Sequence, residues 1–200
     1  MIIDSHTHTF PEKIAAKTIA KLSGAAHLKP FTEATVPTLL ASMEEAGIDI
    51  SLNMPVATSE HQVPKLNDAA AIINEAGLAA KDGPRVLSFG CMHPDYADWY
   101  AELGRVKELG LRGIKIHPPY QGVDLDDIRY VRICERAAQL GLVVLTHTGL
   151  DVGLPGADRA TPAMGRRLVR EVGDFPLILA HMGGWRYWEE VPEQLADTCV

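Results

Sequence analysis

The sequence predicts an α/β protein whose parallel strands close into a (β/α)8 barrel of the TIM type. Three observations carry that reading. Short Val/Ile/Leu-rich runs alternate with longer amphipathic stretches along the whole chain. Helix-ending glycines are followed almost at once by apolar runs. Several of those runs finish in a histidine. Strands that are nearly continuously apolar are buried on both faces, as in parallel sheets covered by helices.

Six strands are expected: Met1–Asp4, Ile48–Met54, Arg85–Met92, Arg112–His117, Leu142–His147 and Pro176–His181. Helical patterns fall at Pro11–Leu22, Pro37–Ala46, Pro64–Ala76, Tyr96–Leu109, Asp126–Leu140, Pro162–Val172 and Arg186–Ala196. Pro11, Pro37, Pro64 and Pro162 suit first-turn positions, which need no intrahelical N–H. Thr35 and Thr161 are placed to cap helix starts. The segments EEAGIDI, KELGLRGIKI, AQLGLVVL and REVGDFPLIL each end a helix on glycine. Gly47, Gly110, Gly141 and Gly173 are therefore expected as left-handed caps. The last three recur at about thirty residues, the length of one β/α unit. Ser23–Glu33 reads as an irregular loop, and no linker divides the chain, so residues 1–200 are read as one domain.

A doubly wound sheet would show a glycine-rich phosphate turn after its first strand. Here that turn reads SHTHTF. A barrel instead places its chemistry at the carboxyl ends of many strands, where five of the eight histidines lie: His6, His8, His117, His147 and His181. His6 and His8 share a strand face by their i, i+2 spacing and can both reach one ion. A third histidine at an equivalent strand end would complete three nitrogen donors, the protein share of a catalytic zinc-type site. Asp4, of the same parity, orients a ligand imidazole or simply forms a turn. Lys115 and His117 also share a face and are candidates for binding an anionic substrate group. Lys115 could also bridge two metals if carboxylated, or simply cap the barrel. His93, in GCMHPDY, is a substrate candidate weighed against a structural role. His27 and His61 read as solvated loop residues, Trp185 as a packing residue, and Arg166, Arg167 and Arg170 as a solvated helix face.

The formal net charge of -7 and the lack of a basic stripe argue against general nucleic-acid or anionic-membrane binding. No apolar run approaches the ~20 residues of a membrane span, and the early Asp4 and His6 do not suit a signal peptide. Cys91, Cys134 and Cys199 form neither a disulfide framework nor a CxxC pattern. Reduced thiols in the cytoplasm are the expectation.

IDSHTH, GIKIHP, THTG and LAHMGG, in this order, resemble the amidohydrolase superfamily. They are most similar to its amidohydrolase-related (amidohydrolase 2) branch, that of aminocarboxymuconate-semialdehyde decarboxylase and related carboxy-lyases. The resemblance implies a metal-dependent hydrolase barrel with one divalent ion, zinc before manganese, held by His6, His8 and His147. It implies His181 as the residue that acts on water or substrate. The family also carries a metal-binding aspartate at the end of an eighth strand. Six complete strands are counted here, and ADTCV reads as the start of a seventh. The chain is thus expected to be a C-terminally truncated barrel with an exposed sheet edge, an association hazard that makes a second copy the expected protein partner.

Hydrolysis of a small-molecule amide, ester or lactone by a metal-activated water is the leading functional expectation. Non-oxidative decarboxylation on the same site is the second. Phosphoesterases of the polymerase-and-histidinol-phosphatase and TatD-like types also begin with HxH but fit the later blocks less well. A catalytically inactive fragment is the remaining alternative.

Overall fold

The computed structural model describes residues 1–200. Its strands are β1 (Ile3–Thr7), β2 (Ile50–Asn53), β3 (Arg85–Ser88), β4 (Gly90–Cys91), β5 (Gly113–Ile116), β6 (Val143–Thr146) and β7 (Leu177–Leu179). Its helices are α1 (Glu12–Ala26), α2 (Val36–Ala46), α3 (Val63–Ala79), α4 (Trp99–Glu108), α5 (Pro118–Gln121), α6 (Ile128–Leu140), α7 (Pro162–Val172) and α8 (Val191–Leu195). All strand pairs are parallel and follow chain order: β1-β2-β3 in one sheet and β4-β5-β6-β7 in the other. β3 and β4 are the two halves of the third expected strand. Phe89 lies between them and donates its N–H to the Asn53 carbonyl (3.1 Å). The strand thus leaves β2 and joins β5 without ending. Sequential order and one strand direction are what a β/α barrel requires.

The core has two parts. Ile114, Ile116 and Val144 face outward into the large cluster shared with Leu103, Val106, Ile133 and Leu168 on the helices. Met54, Phe89, Leu145 and Ala180 form a smaller inner cluster. Lys115 lies between two outward-facing isoleucines. Alternation along β5 therefore turns it into the barrel interior, where it is 1% exposed.

Thr35 accepts from the Thr38 N–H and Thr161 from the Met164 N–H, as caps should. Gly47, Gly110 and Gly141 have positive φ angles of 69°, 77° and 66°. Gly173 differs: its φ of 86° comes with ψ of -161°, outside the left-handed helical region.

Four expectations need correction. The first strand runs Ile3–Thr7, since Ile2 is spent on Asp49, whose carboxylate takes its N–H. Ser23–Ala26 belongs to α1, where alanines favour another turn, and left-handed His27 ends it. The last helix is confined to Val191–Leu195. Residues 196–200 form no strand: Asp197 instead pairs with Arg166 (3.0 Å), whose guanidinium also donates to the Glu193 and Gln194 carbonyls. Arg166 is therefore a tether for the C-terminal segment. Arg167 likewise pairs with Asp126.

β1 and β7 each pair on one side only. Ile2, Ile3 and Ile178 are exposed there. No helix is long and apolar enough to cross a membrane.

Candidate metal centre

The carboxyl end of β1 is pinned to β2 by side chains. Thr7 Oγ1 donates to the Leu52 carbonyl (2.9 Å), and the Thr9 N–H and hydroxyl both donate to Asn53 Oδ1 (2.9 and 3.0 Å). Buried Asn53 is held in turn by its Nδ2–H donating to Ser88 Oγ (3.0 Å). The β1–β2 register shifts between Asp4 and Thr7, an irregularity of the kind that re-aims side chains at a strand end. The His6 and His8 rings end 5.0 Å apart. His8 Nδ1 lies 2.7 Å from the Met54 carbonyl. A carbonyl accepts only, so Nδ1 carries the proton and Nε2 keeps a free lone pair. Asp4 Oδ1 accepts from the backbone N–H of His6 (3.2 Å), so its turn-forming role is the observed one.

His147 follows β6. Its Nε2 lies 3.2 Å from the Leu150 carbonyl and its Nδ1 3.2 Å from His181 Nε2. By the same logic Nε2 carries the proton, and Nδ1 offers a lone pair towards His181. His181 lies 5.4 Å from the His6 ring. It has a left-handed φ of 61°, as does its neighbour Met182 at 59°. The Trp188 indole N–H donates to the His181 carbonyl (3.0 Å) and helps hold this turn. Strained non-glycine backbone of this kind persists only where its surroundings fix it.

His117 stacks on His147 (4.3 Å between centroids, 18° between planes). Lys115 Nζ lies 3.3 Å from His6 Nε2. The structure thus gathers His6, His8, Lys115, His117, His147 and His181. His93 stays outside the group: it is buried, and its Nδ1 accepts from the Asp95 N–H (3.2 Å). That turn gives it a structural task. His61 pairs with Glu60 at the surface, and His27 is exposed. Trp185 is half-buried against Trp188.

Asp151, Gln121 and the carbonyls of Met54 and Leu150 belong to the site but were not singled out by sequence. Asp151 Oδ2 lies 3.6 Å from His117 Nε2. Gln121 uses all its polar capacity. Its Oε1 accepts from the His117 N–H (2.9 Å) and the Tyr130 hydroxyl (2.7 Å), while its Nε2 donates to the Ala57 (2.9 Å) and Met92 (2.7 Å) carbonyls. One amide thereby joins the ends of three strand segments. Gln121→Leu keeps the volume and leaves these buried partners unpaired, each such group costing about 1–3 kcal/mol. Urea unfolding of this variant is expected to show a loss of at least ~3 kcal/mol.

Asp151 is the only carboxylate among the charges that act on these histidines and Lys115. Burial, then the Lys115 charge, pushes His6 down to about 3. Burial, then His181, pushes His147 down to about 3. Burial lowers Lys115 to about 7 against the pull of Asp151. The imidazoles are therefore neutral at pH 7, the form that ligates metal. The pH dependence of folding follows. Between about 3 and the ordinary value of 6.5, the unfolded chain binds more protons than the folded one. Stability therefore rises with pH across that interval. The Tm of metal-free protein is expected to fall steadily as pH is lowered from 7 to 4.

Neutral imidazoles, each with one nitrogen fixed by a backbone carbonyl in His8 and His147, fit a divalent ion. An ion on His6 would replace the Lys115 amine now beside its Nε2. The tightest group of donors is a different trio, His117, His147 and Asp151, whose ligand atoms all lie within 4.8 Å of one another.

A parallel β/α barrel with imidazoles gathered at its strand ends defines a class of metal-dependent enzymes. The family model described as Amidohydrolase (Amidohydro_2) matches residues 3–198, and the chain belongs to that family. Among solved structures, the chain is similar to 5-carboxyvanillate decarboxylase of Novosphingobium aromaticivorans, complexed with manganese and 4-hydroxy-3-methoxy-5-nitrobenzoic acid. Identity is 19% and the TM-score 0.68, covering 98% of this chain and 68% of that one. It is similar to 2,6-dihydroxybenzoate decarboxylase from Rhizobium at 20% identity and TM-score 0.60, covering 91% of this chain and 66% of that one. It is also similar to Metarhizium anisopliae IDCase in apo form at 20% identity and TM-score 0.62, covering 92% and 65%. At these identities the likeness establishes the fold. The chain spans about two thirds of the length of these structures. A search of curated proteins finds no match.

Proposed function

We propose that the chain serves metal-dependent, non-oxidative decarboxylation of a small carboxylic acid. The supporting observation is the donor set of the site. Five neutral imidazoles and the buried Lys115 amine face one carboxylate, Asp151. A divalent ion held by the imidazoles, together with the protonated fraction of Lys115, would favour a substrate that brings its own negative charge. Hydrolysis, the first expectation from sequence, needs a base that activates water. Decarboxylation needs an anion site and a proton for carbon, and these residues are better suited to that. The decarboxylases among the similar structures support the same order.

Lys115 attracts the substrate carboxylate from within the barrel. His6, His8 and His147 would hold the ion, with zinc favoured by their nitrogen donors and manganese the second choice. The ion supplies Lewis-acid stabilisation of charge that develops on substrate oxygen. As the bond to the carboxyl carbon breaks, its electron pair stays on the substrate carbon and carbon dioxide leaves. His181, exposed at the mouth, would relay to this carbon a proton taken up from solvent, returning to its neutral form. The three unpaired cysteines support a cytoplasmic setting.

Carbon dioxide release from metal-loaded protein, tested against hydroxylated aromatic and unsaturated carboxylic acids in D2O, checks this reading. The expected product carries one deuterium at the former carboxyl carbon. Cleavage of esters or lactones without carbon dioxide would restore hydrolysis as the activity.

A further inference from the structure

We propose that Asp151 selects the substrate by accepting a hydrogen bond from a hydroxyl group on it, so that the acid this site takes is a hydroxy acid. The acid half of that description rests on the decarboxylation reading. The hydroxyl half rests on the geometry of Asp151.

This carboxylate is only half engaged. Its Oδ1 accepts from the Gly153 N–H (2.8 Å), and the Leu154 N–H donates to the Asp151 carbonyl (3.1 Å), so a tight turn fixes the side chain. Oδ2 accepts no hydrogen bond from the protein. His117 Nε2 lies 3.6 Å away, too far to donate one. Burial also holds His117 well below the ordinary imidazole value, so it is neutral and forms no ion pair. Yet Oδ2 is not sealed off. The Asp151 side chain is 12% exposed, and solvent still reaches this oxygen. A carboxylate oxygen only accepts. A ligand that settles against it displaces water and must bring a donor of its own.

The free oxygen belongs to the same mouth as the imidazoles. His117, beside it, stacks on His147, and the Asp151 charge acts on Lys115, Tyr120 and His181. That charge repels a carboxylate, so the substrate's acid group is driven to the Lys115 end and its donor to the Asp151 end. A neutral hydroxyl suits the donor position better than an ammonium. Stripping an ammonium of water is costly, and Lys115 and an ion at His6 and His8 would repel it. A hydroxyl on a carboxylate forms a short, charge-assisted bond. A site built around such a bond rejects the analogue that lacks the hydroxyl.

Calorimetric titration of the chain in excess Mn2+ with benzoate, the three monohydroxybenzoates and the three aminomethylbenzoates tests the proposal. It is run on wild type and on Asp151→Asn, which keeps the Gly153 contact through Oδ1. At least one hydroxybenzoate is expected to bind wild type ~10-fold or more tightly than benzoate, and Asp151→Asn to bring that ratio below ~3-fold. No hydroxyl preference in wild type, or one that survives Asp151→Asn, overturns the proposal. Tighter binding of an aminomethylbenzoate than of any hydroxybenzoate overturns it in favour of an ammonium. The wild-type comparison needs no variant to fold. Carbon dioxide release from the same acids separates the two readings. A hydroxyl preference without release leaves the role of Asp151 standing and sinks decarboxylation. Release without a hydroxyl preference does the reverse.

Discussion

His8→Ala is expected to abolish ion binding at the His6–His8 position and to lower activity by more than the ~10–100-fold typical of losing an outer-shell partner. The ring's Nδ1 is committed to the Met54 carbonyl, so its whole function at Nε2 is ligation. Removing it leaves His6, whose Nε2 is beside the Lys115 amine, without the donor that shares its ion. The fold should barely register the change. His8 is exposed and makes one hydrogen bond through its ring, worth about 1 kcal/mol. Metal analysis and urea unfolding on the same sample separate the two effects. A large loss of stability in metal-free protein would mean that His8 is structural.

The largest effect on folding is expected from Gly149→Ala. Gly149 has a φ of 93°, outside the range L-residues accept, and a Cβ there would lie 2.1 Å from the Trp185 nitrogen and 2.4 Å from its oxygen. The neighbouring backbone cannot yield. The Trp185 N–H donates to the Thr148 carbonyl (3.0 Å), and the Leu150 N–H donates to the Trp185 carbonyl (3.1 Å). The Gly149 N–H donates to the Ala160 carbonyl (2.7 Å). Relief would break these bonds and shift His147 and Leu150 with them. A loss of more than ~4 kcal/mol is expected, read as a collapse of the urea midpoint or as insoluble protein. A midpoint within the range of ordinary surface variants would show that the loop relaxes freely.

The strand-end histidines were legible because a buried parallel strand announces its own end and a period of two fixes which residues share a face. That logic found His6, His8, His117 and His147, and it placed Lys115 on an inward face. It could not separate His93 from them. His93 also ends a strand, and only the three-dimensional turn to Asp95 shows that its Nδ1 is taken. Asp151 and Gln121 were missed for the complementary reason. Asp151 sits in a loop, where spacing carries no facing information. Gln121 acts through carbonyls from Ala57 and Met92, which are distant in sequence. The seventh-strand reading of ADTCV failed because Asp197 is captured by Arg166, a pairing that no local pattern encodes. The break at Phe89 escaped as well, since changing neighbours within one strand leaves the apolar run unaltered.

The central claim is that the chain's own histidines place an ion at the mouth of the barrel. Anomalous diffraction at the metal edge, from crystals grown with zinc or manganese, tests it most directly. The account predicts a peak about 2.0–2.2 Å from nitrogens of His6, His8 and His147. A well-ordered chain with no peak at those three histidines would contradict it.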